Sequence, residues 1–263
     1  MLKIFSFFLF FISVFVGYIF LKIPSEKEIK GCITTTMFEV DLCPKSKNYA
    51  RLNQISPYVK KAVITTEDSL FYQHKGFDWE SIEYSLRQNI EKGKYVRGGS
   101  TITQQLAKNM FLYRTKSLTR KFLEALITRK IEKTLKKNEI LEKYLNVAQF
   151  GKNIFGVKAA SQFYFKKHPS ELTLTESAFF AFLLPSPEKY SRSFFRKELT
   201  SFARKRMRQI LFMMYSSKKV SEAEYQTALV QLDYFPGQVP PEPEINEENS
   251  EPTLDDLENV EIE

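Results

Sequence analysis

From Thr119 to Gln149 the chain has neither glycine nor proline, and Leu123, Ile127, Ile131 and Leu135 recur every four residues within it. That spacing lays an apolar stripe along one face of a helix, so the segment is predicted to be amphipathic and α-helical. Asn138 is expected to cap a further helix that carries Ile140, Leu141, Tyr144 and Leu145. The punctuation elsewhere is also helical. Pro57 suits the first position of a helix running to Glu67. Trp79–Lys92 reads as a second helix, and Gly93–Thr101 as a loop. Thr173 and Glu176 make a capping-box pattern before an apolar helix that stops at Pro185, and Ser221 and Glu224 repeat the pattern before the last helix. Residues 24–55 read as a connector with weak strand character, and nothing after them reads as a strand. The expected fold class is mainly α.

The two ends differ from this body. Ile4–Leu21 is a run of 18 residues without a charge, between Lys3 and Lys22. About 20 apolar residues cross a bilayer as a helix. A secretory signal peptide is the competing reading, but no A-x-A-like cleavage site follows Leu21, so an uncleaved anchor over residues 1–23 is expected. The flanking lysines do not decide its orientation. At the other end, residues 237–263 hold ten acidic residues, no basic ones and several prolines. That composition cannot build a core, so the tail is expected to be disordered. The net charge of the whole chain is nevertheless +8, so the rest of the chain is strongly cationic. Such a body suits a nucleic acid, an anionic bilayer surface or a phosphorylated substrate, or else is a solvated basic surface with no partner. Cys32 and Cys43 form one disulfide closing a short loop if their compartment is oxidising, or remain two free thiols. Two cysteines without nearby histidines do not make a zinc site.

Three stretches carry chemistry. The first is A-V-I-T-T-E-D-S-L-F-Y-Q-H-K-G, Ala62–Gly76. A glutamate at the end of an apolar helix, Glu67, is partly desolvated, which raises its pKa toward the range of a general base. A solvated helix-end glutamate is the plainer alternative. The second is R-G-G-S-T-I-T-Q-Q-L-A-K-N, Arg97–Asn109. Its glycines permit close backbone approach, its hydroxyls and amides suit a sugar, and Arg97 and Lys108 suit a phosphate. The third is R-K-F-L-E, in which Arg120 and Glu124 share a helix face. They are either an ordinary ion pair, worth ~0.3–0.5 kcal/mol, or a cation for a leaving phosphate beside a second carboxylate.

E-D-S-L-F-Y-Q-H-K-G, G-G-S-T-I-T-Q-Q-L-A-K-N, R-K-F-L-E and I-L-E-K-Y-L-N-V-A-Q-F-G follow one another in that order. Together they resemble the signature motifs of the peptidoglycan glycosyltransferases, glycosyltransferase family 51, over about Tyr58 to Tyr190. The resemblance implies a lysozyme-like, two-lobed helical domain over residues 56–236. It would polymerise lipid II into β-1,4-linked glycan with inversion and release undecaprenyl pyrophosphate. Glu67 matches the general base and Glu124 the second essential glutamate, with room for a divalent cation, Mg or Mn, at Glu124. Lys108 and Arg120 match phosphate-binding positions, and Thr101, Gln105 and Asn109 match substrate contacts. Arg97 adds positive charge, and Phe71 and His74 shape the first motif. Asn109–Tyr113 is either part of a lobe dipping into the bilayer or core packing, and Tyr144, Asn146 and Gly151 are read as structural.

The implied partners are lipid II, the growing glycan, the membrane and other cell-wall synthesis or division proteins, with no nucleic acid. The implied location is the bacterial cytoplasmic (inner) membrane, single-pass, with the catalytic domain on its periplasmic or outer side. The chain resembles monofunctional members. S-x-x-K occurs at Ser186–Lys189 and Ser216–Lys219, but no K-T-G follows to complete a transpeptidase signature. A lysine that some relatives place near L-P-S-P is absent, and Lys189 is the substitute on offer. Two other functions stay open: a lysozyme-like enzyme that cleaves glycan, and a non-catalytic, membrane-anchored cell-wall scaffold.

Overall fold

The computed structural model describes residues 13, 14, 17, 19, 21–93, 98–115 and 117–236. Most of the expected anchor, together with Arg97 and the acidic tail, lies outside them. Among the described residues no helix is long and apolar enough to cross a membrane.

The chain is mainly helical, as expected. A short helix α1 (Glu26–Lys30) leads into a hairpin of β1 (Ile33–Thr34) and β2 (Asp41–Leu42). Cys32 and Cys43 flank this hairpin and are joined as a disulfide, with their Cα atoms 4.5 Å apart, so the free-thiol alternative falls away. The helices that follow are α2 (Pro57–Glu67), α3 (Trp79–Glu91), α4 (Ile102–Phe111), α5 (Leu118–Thr134) and α6 (Lys137–Val147). After a hairpin of β3 (Gln149–Gly151) and β4 (Ile154–Phe155) come α7 (Val157–Phe165), α8 (Leu174–Leu183), α9 (Pro187–Tyr190), α10 (Arg192–Phe195), α11 (Ser201–Ser216) and α12 (Glu222–Asp233).

Packing falls into two groups. In the first, α2 lies against α8 and α11, and α12 covers α8 and α11. All ten residues of α8 are buried, as a helix apolar on every side requires. Phe179 and Phe180 at its centre meet Tyr164, Phe165 and Phe194 in an aromatic cluster. In the second group α4 packs on α5 and α6, with Leu123, Ile127, Ile131 and Leu135 buried along the predicted stripe. Met110 and Leu112 are buried and Tyr113 is exposed, so core packing accounts for most of Asn109–Tyr113. By contrast α3 buries only Ser85 and leaves Trp79, Leu86 and Ile90 exposed.

Two bonds from the C-terminal part of the chain hold α2. Tyr58, in its first turn, donates to Glu224 at 2.5 Å. Lys219 Nζ donates to Thr65 Oγ1 in its last turn at 2.7 Å. Thr173 and Ser221 are the N-caps of α8 and α12, each in a full capping box.

Two expectations need correction. Asn138 does not cap α6. The helix starts at Lys137, and the Lys136 N–H at its cap position is satisfied by the Glu139 carboxylate at 2.7 Å. Asn138 lies inside the helix and accepts from the Tyr72 hydroxyl. Strands also occur after the connector: β3 and β4 form a hairpin whose tight turn places Asn153 at φ 57°. With so few residues in each strand, no alternation of polar and apolar residues could mark them.

Candidate active site

Glu67 is the last residue of α2. The C-terminal end of a helix carries partial negative charge, a poor setting for an anion. Burial among protein atoms pushes the carboxyl pKa above its ordinary value, and the neighbouring Asp68 adds to the push. Against these, a hydrogen bond from Gln105 and the charges of Lys108 and Arg206 pull it back. Gln105 Nε2 donates to Glu67 Oε2 at 2.7 Å, and Gln105 Oε1 accepts from the Tyr144 hydroxyl at 3.1 Å. One amide is therefore held at both ends. It fixes one Glu67 oxygen and leaves the other for a substrate proton.

The loop after Glu67 is tied to the start of α4 by a ring of bonds. Asp68 is buried; its Oδ2 accepts from the Ile102 N–H at 3.0 Å and its Oδ1 from His74 Nε2 at 2.7 Å. His74 Nδ1 accepts from the Gly76 N–H at 3.1 Å, which puts the imidazole proton on Nε2. The Gly76 carbonyl accepts from Thr101 Oγ1 at 2.7 Å. Thr101 is also the N-cap of α4, accepting from the Gln104 N–H. Gly76 has φ +93°, and a Cβ there would stand 2.9 Å from Thr128 Cγ2 on α5, so the turn needs glycine. Phe71 is fully buried, edge-on to His74 and beneath the Lys137 ammonium. Together Asp68, Phe71, His74 and Thr101 hold the helix that bears Glu67 against the helix that bears Gln105 and Lys108.

The positive charge gathers one turn further along α4. A cavity of ≈ 370 Å³ is lined by Gln105, Lys108, Asn109 and Arg120, with Met37, Phe38, Tyr113, Arg114 and Tyr144 around them. Glu67 itself lines a small polar recess with Thr65, Thr66, Asp68 and Gly98–Thr101. Gln105, which bonds Glu67, walls the larger cavity. Lys108 interacts electrostatically with both Glu124 and Glu67, and burial is the main cause that holds its pKa below the ordinary lysine value. Glu67 and Lys108 are therefore close enough to interact, and Arg120 lines the cavity that Lys108 lines.

Glu124 is buried and accepts from Arg120 Nη1 at 2.9 Å and from the Lys121 ammonium. Arg120 Nε is buried without a protein partner, a donor whose desolvation costs about 1–3 kcal/mol if nothing accepts from it. Both Glu124 oxygens are engaged by cations here, so a divalent ion at Glu124, which would also draw on substrate phosphates and water for its oxygen shell, would compete with Arg120 and Lys121. No step below runs through one.

Several participants were not singled out in the sequence. Asp68 has no role in the sequence reading, and Tyr144, expected to be structural, bonds Gln105. Arg206, Met37 and Phe38 come from segments far from the motifs, and only the tertiary fold brings them near, while Arg114 lies between the second and third motifs. Lys189 is exposed on α9 and is not part of the cavity wall.

Fold and site together define a mainly helical protein with a desolvated carboxylate near a cationic cleft. The chain belongs to the transglycosylase family, whose model matches residues 34–215. Two similar curated proteins are both named biosynthetic peptidoglycan transglycosylase. That of Acinetobacter baylyi is 47% identical over 150 residues, covering 57% of this chain and 67% of its own. That of Alcanivorax borkumensis is 51% identical over 138 residues, covering 52% and 56%. The matched part thus spans between about half and two thirds of these relatives' length. Among solved structures, Penicillin-Binding Protein 1A from Haemophilus influenzae is 30% identical over 49% of this chain and 15% of its own, with a TM-score of 0.31, too low to bear on the fold.

Proposed function

We propose that this chain is a peptidoglycan glycosyltransferase that polymerises lipid II into β-1,4-linked glycan strands with inversion, releasing undecaprenyl pyrophosphate. Glu67 takes the proton of the acceptor GlcNAc 4-hydroxyl. That oxygen attacks C1 of the donor MurNAc from the face opposite the diphosphate. The C1–O bond to the diphosphate breaks, and the leaving group departs with the electron pair. Lys108 and Arg120 stabilise the charge that grows on it, and Glu124 holds Arg120 and Lys121 in place. A positioned base contributes typically ~10²–10⁴-fold. Fixed cations in a water-poor cleft and the alignment of two bound sugars supply the rest.

The observation that carries this reading is the Gln105 bridge. It ties a desolvated carboxylate to the helix that bears Lys108, and Gln105, Lys108 and Arg120 wall one cavity. A glycan-cleaving enzyme would have little use for the cation cluster, since its leaving group is a neutral sugar that must be protonated. A scaffold would have no use for a glutamate held at the end of a helix against its own solvation. The same proposal places the chain at the bacterial cytoplasmic (inner) membrane, as a single-pass protein anchored through residues 1–23, with its domain on the outer side. The Cys32–Cys43 disulfide fits that oxidising side. Two packing groups of helices around the cleft fit a lysozyme-like, two-lobed domain. Other cell-wall synthesis or division proteins would then place it where new wall is made.

The test is purified lipid II given to the full chain. Long glycan strands support the proposal. Shortened pre-formed strands, or binding without product, overturn it in favour of the lytic enzyme or the scaffold.

A further inference from the structure

The disulfide-closed hairpin reaches the cleft. Its turn is ordered by bonds from Thr35 N–H to the Val40 carbonyl at 2.9 Å and from Val40 N–H to Thr35 Oγ1 at 3.0 Å. Thr36 N–H donates to the Met110 carbonyl at 2.9 Å, satisfying one of the acceptors that the end of α4 leaves open. The tip thus rests on the helix that carries Gln105 and Lys108. Its next two side chains, Met37 and Phe38, wall the cavity that contains Lys108 and Arg120. Phe38 is held from behind by Phe155 of β4, with ring centroids 4.6 Å apart.

Arg114 lies on the loop between α4 and α5, with its guanidinium 5.2 Å from the centre of the Phe38 ring, and it lines the same cavity. Among the described residues Arg114 makes no ion pair, whereas Arg120 and Lys121 are both paired with Glu124. The difference matters chemically. A carboxylate neutralises the cation it holds, while an aromatic face holds a guanidinium and leaves its charge and its N–H fork free for a phosphate.

We propose that Arg114 is a further substrate-binding residue, contacting the diphosphate of the lipid-linked donor, and that Phe38 is its positioning residue, presented by the Cys32–Cys43 hairpin. This rests on the glycosyltransferase reading. The hairpin gives the cleft a wall that the four sequence motifs do not supply.

The experiment compares the full chain with Arg114→Ala, Arg114→Lys, Phe38→Ala, Phe38→Tyr and the Phe38→Ala/Arg114→Ala pair. It measures turnover of lipid II in neutral detergent and the affinity for undecaprenyl pyrophosphate. Arg114→Ala should raise KM and the undecaprenyl pyrophosphate Kd by about tenfold and lower kcat as well, because charge grows on the diphosphate that Arg114 contacts. Arg114→Lys should recover only part, because an ammonium does not reproduce a stacked guanidinium. Phe38→Ala should raise KM in the same direction, Phe38→Tyr should restore it, and the pair should be no worse than Arg114→Ala alone. Additive losses in the pair, or an Arg114→Ala variant within twofold of the parent in both KM and Kd, would overturn the proposal. So would an Arg114→Ala defect seen equally in binding to substrate-free phosphatidylglycerol vesicles, since Arg114 would then serve an anionic surface. A parent that binds undecaprenyl pyrophosphate more tightly than Arg114→Ala but makes no glycan keeps the site and removes the polymerase reading. A parent that polymerises while Arg114→Ala is unchanged removes the site alone.

Discussion

Glu67→Gln removes the proposed base and a half-buried charge together, so it should move rate and stability in opposite directions. The rate falls because an amide cannot take the acceptor's proton. A loss of about 10²–10⁴-fold is the usual worth of a positioned base, or ~3–5 kcal/mol of barrier at 1.36 kcal/mol per tenfold. Stability rises for the reason the base is reactive. Burial holds the folded pKa of Glu67 above its ordinary 4.5, so the folded protein binds that proton more tightly than the unfolded chain. The associated stability is fully present below the unfolded pKa and is lost as pH rises through the folded one. At neutral pH the charged carboxylate is therefore a liability, which the amide relieves without a change of shape. Gln105 can turn over so that its carbonyl meets the new amide and its NH₂ meets the Tyr144 oxygen. A gain of about 1 kcal/mol is typical of a stabilising change of this kind, which in a domain of this size raises Tm by ~2–4 °C. Thermal unfolding of parent and variant at neutral pH and at pH 4, beside lipid II turnover, tests both halves. The Tm gap should be present at neutral pH and close in acid. An equal Tm at neutral pH, a gap that ignores pH, or turnover at the parent rate would refute the reasoning.

Gln105→Leu removes the bond that lowers the Glu67 pKa, so the acid limb of the pH–rate profile should move to higher pH and kcat fall by roughly tenfold; a profile with an unmoved limb would contradict the role given to that amide. Asp68→Asn leaves one of two buried donors, Ile102 N–H or His74 Nε2–H, poorly served and should cost about 1–3 kcal/mol in urea unfolding. Gly76→Ala meets both a left-handed φ and a contact with Thr128, and should destabilise by ~2 kcal/mol in the same measurement.

The helices could be read from the sequence because their signals are local. Pro57, Thr173 and Ser221 mark starts through groups within three residues of themselves, and the Leu123–Leu135 row shows its period without reference to anything else. Asn138 misled because a favourable cap residue lost to a neighbouring arrangement, Lys136 capped by Glu139, that burial and the Tyr72 contact favour. The β3–β4 hairpin was invisible because its strands are too short for alternation to develop. The site shows the same division. Glu67, Gln105, Lys108, Arg120 and Glu124 sit in compact motifs whose residue types announce their chemistry. Phe38 and Arg114 are single residues in segments with no periodicity of their own, Arg206 sits on an amphipathic helix whose pattern does not name its neighbours, and the positions of all three near the cleft follow from pairing and packing across the chain. Tyr144 looked like core because it is core; its hydroxyl is the one polar atom that reaches the site.

The family match stops at residue 215, yet Lys219 and Glu224, just past that border, grip the two ends of the helix that Glu67 terminates. A chain trimmed at the border would keep every signature residue and lose both of these holds on the helix that bears Glu67.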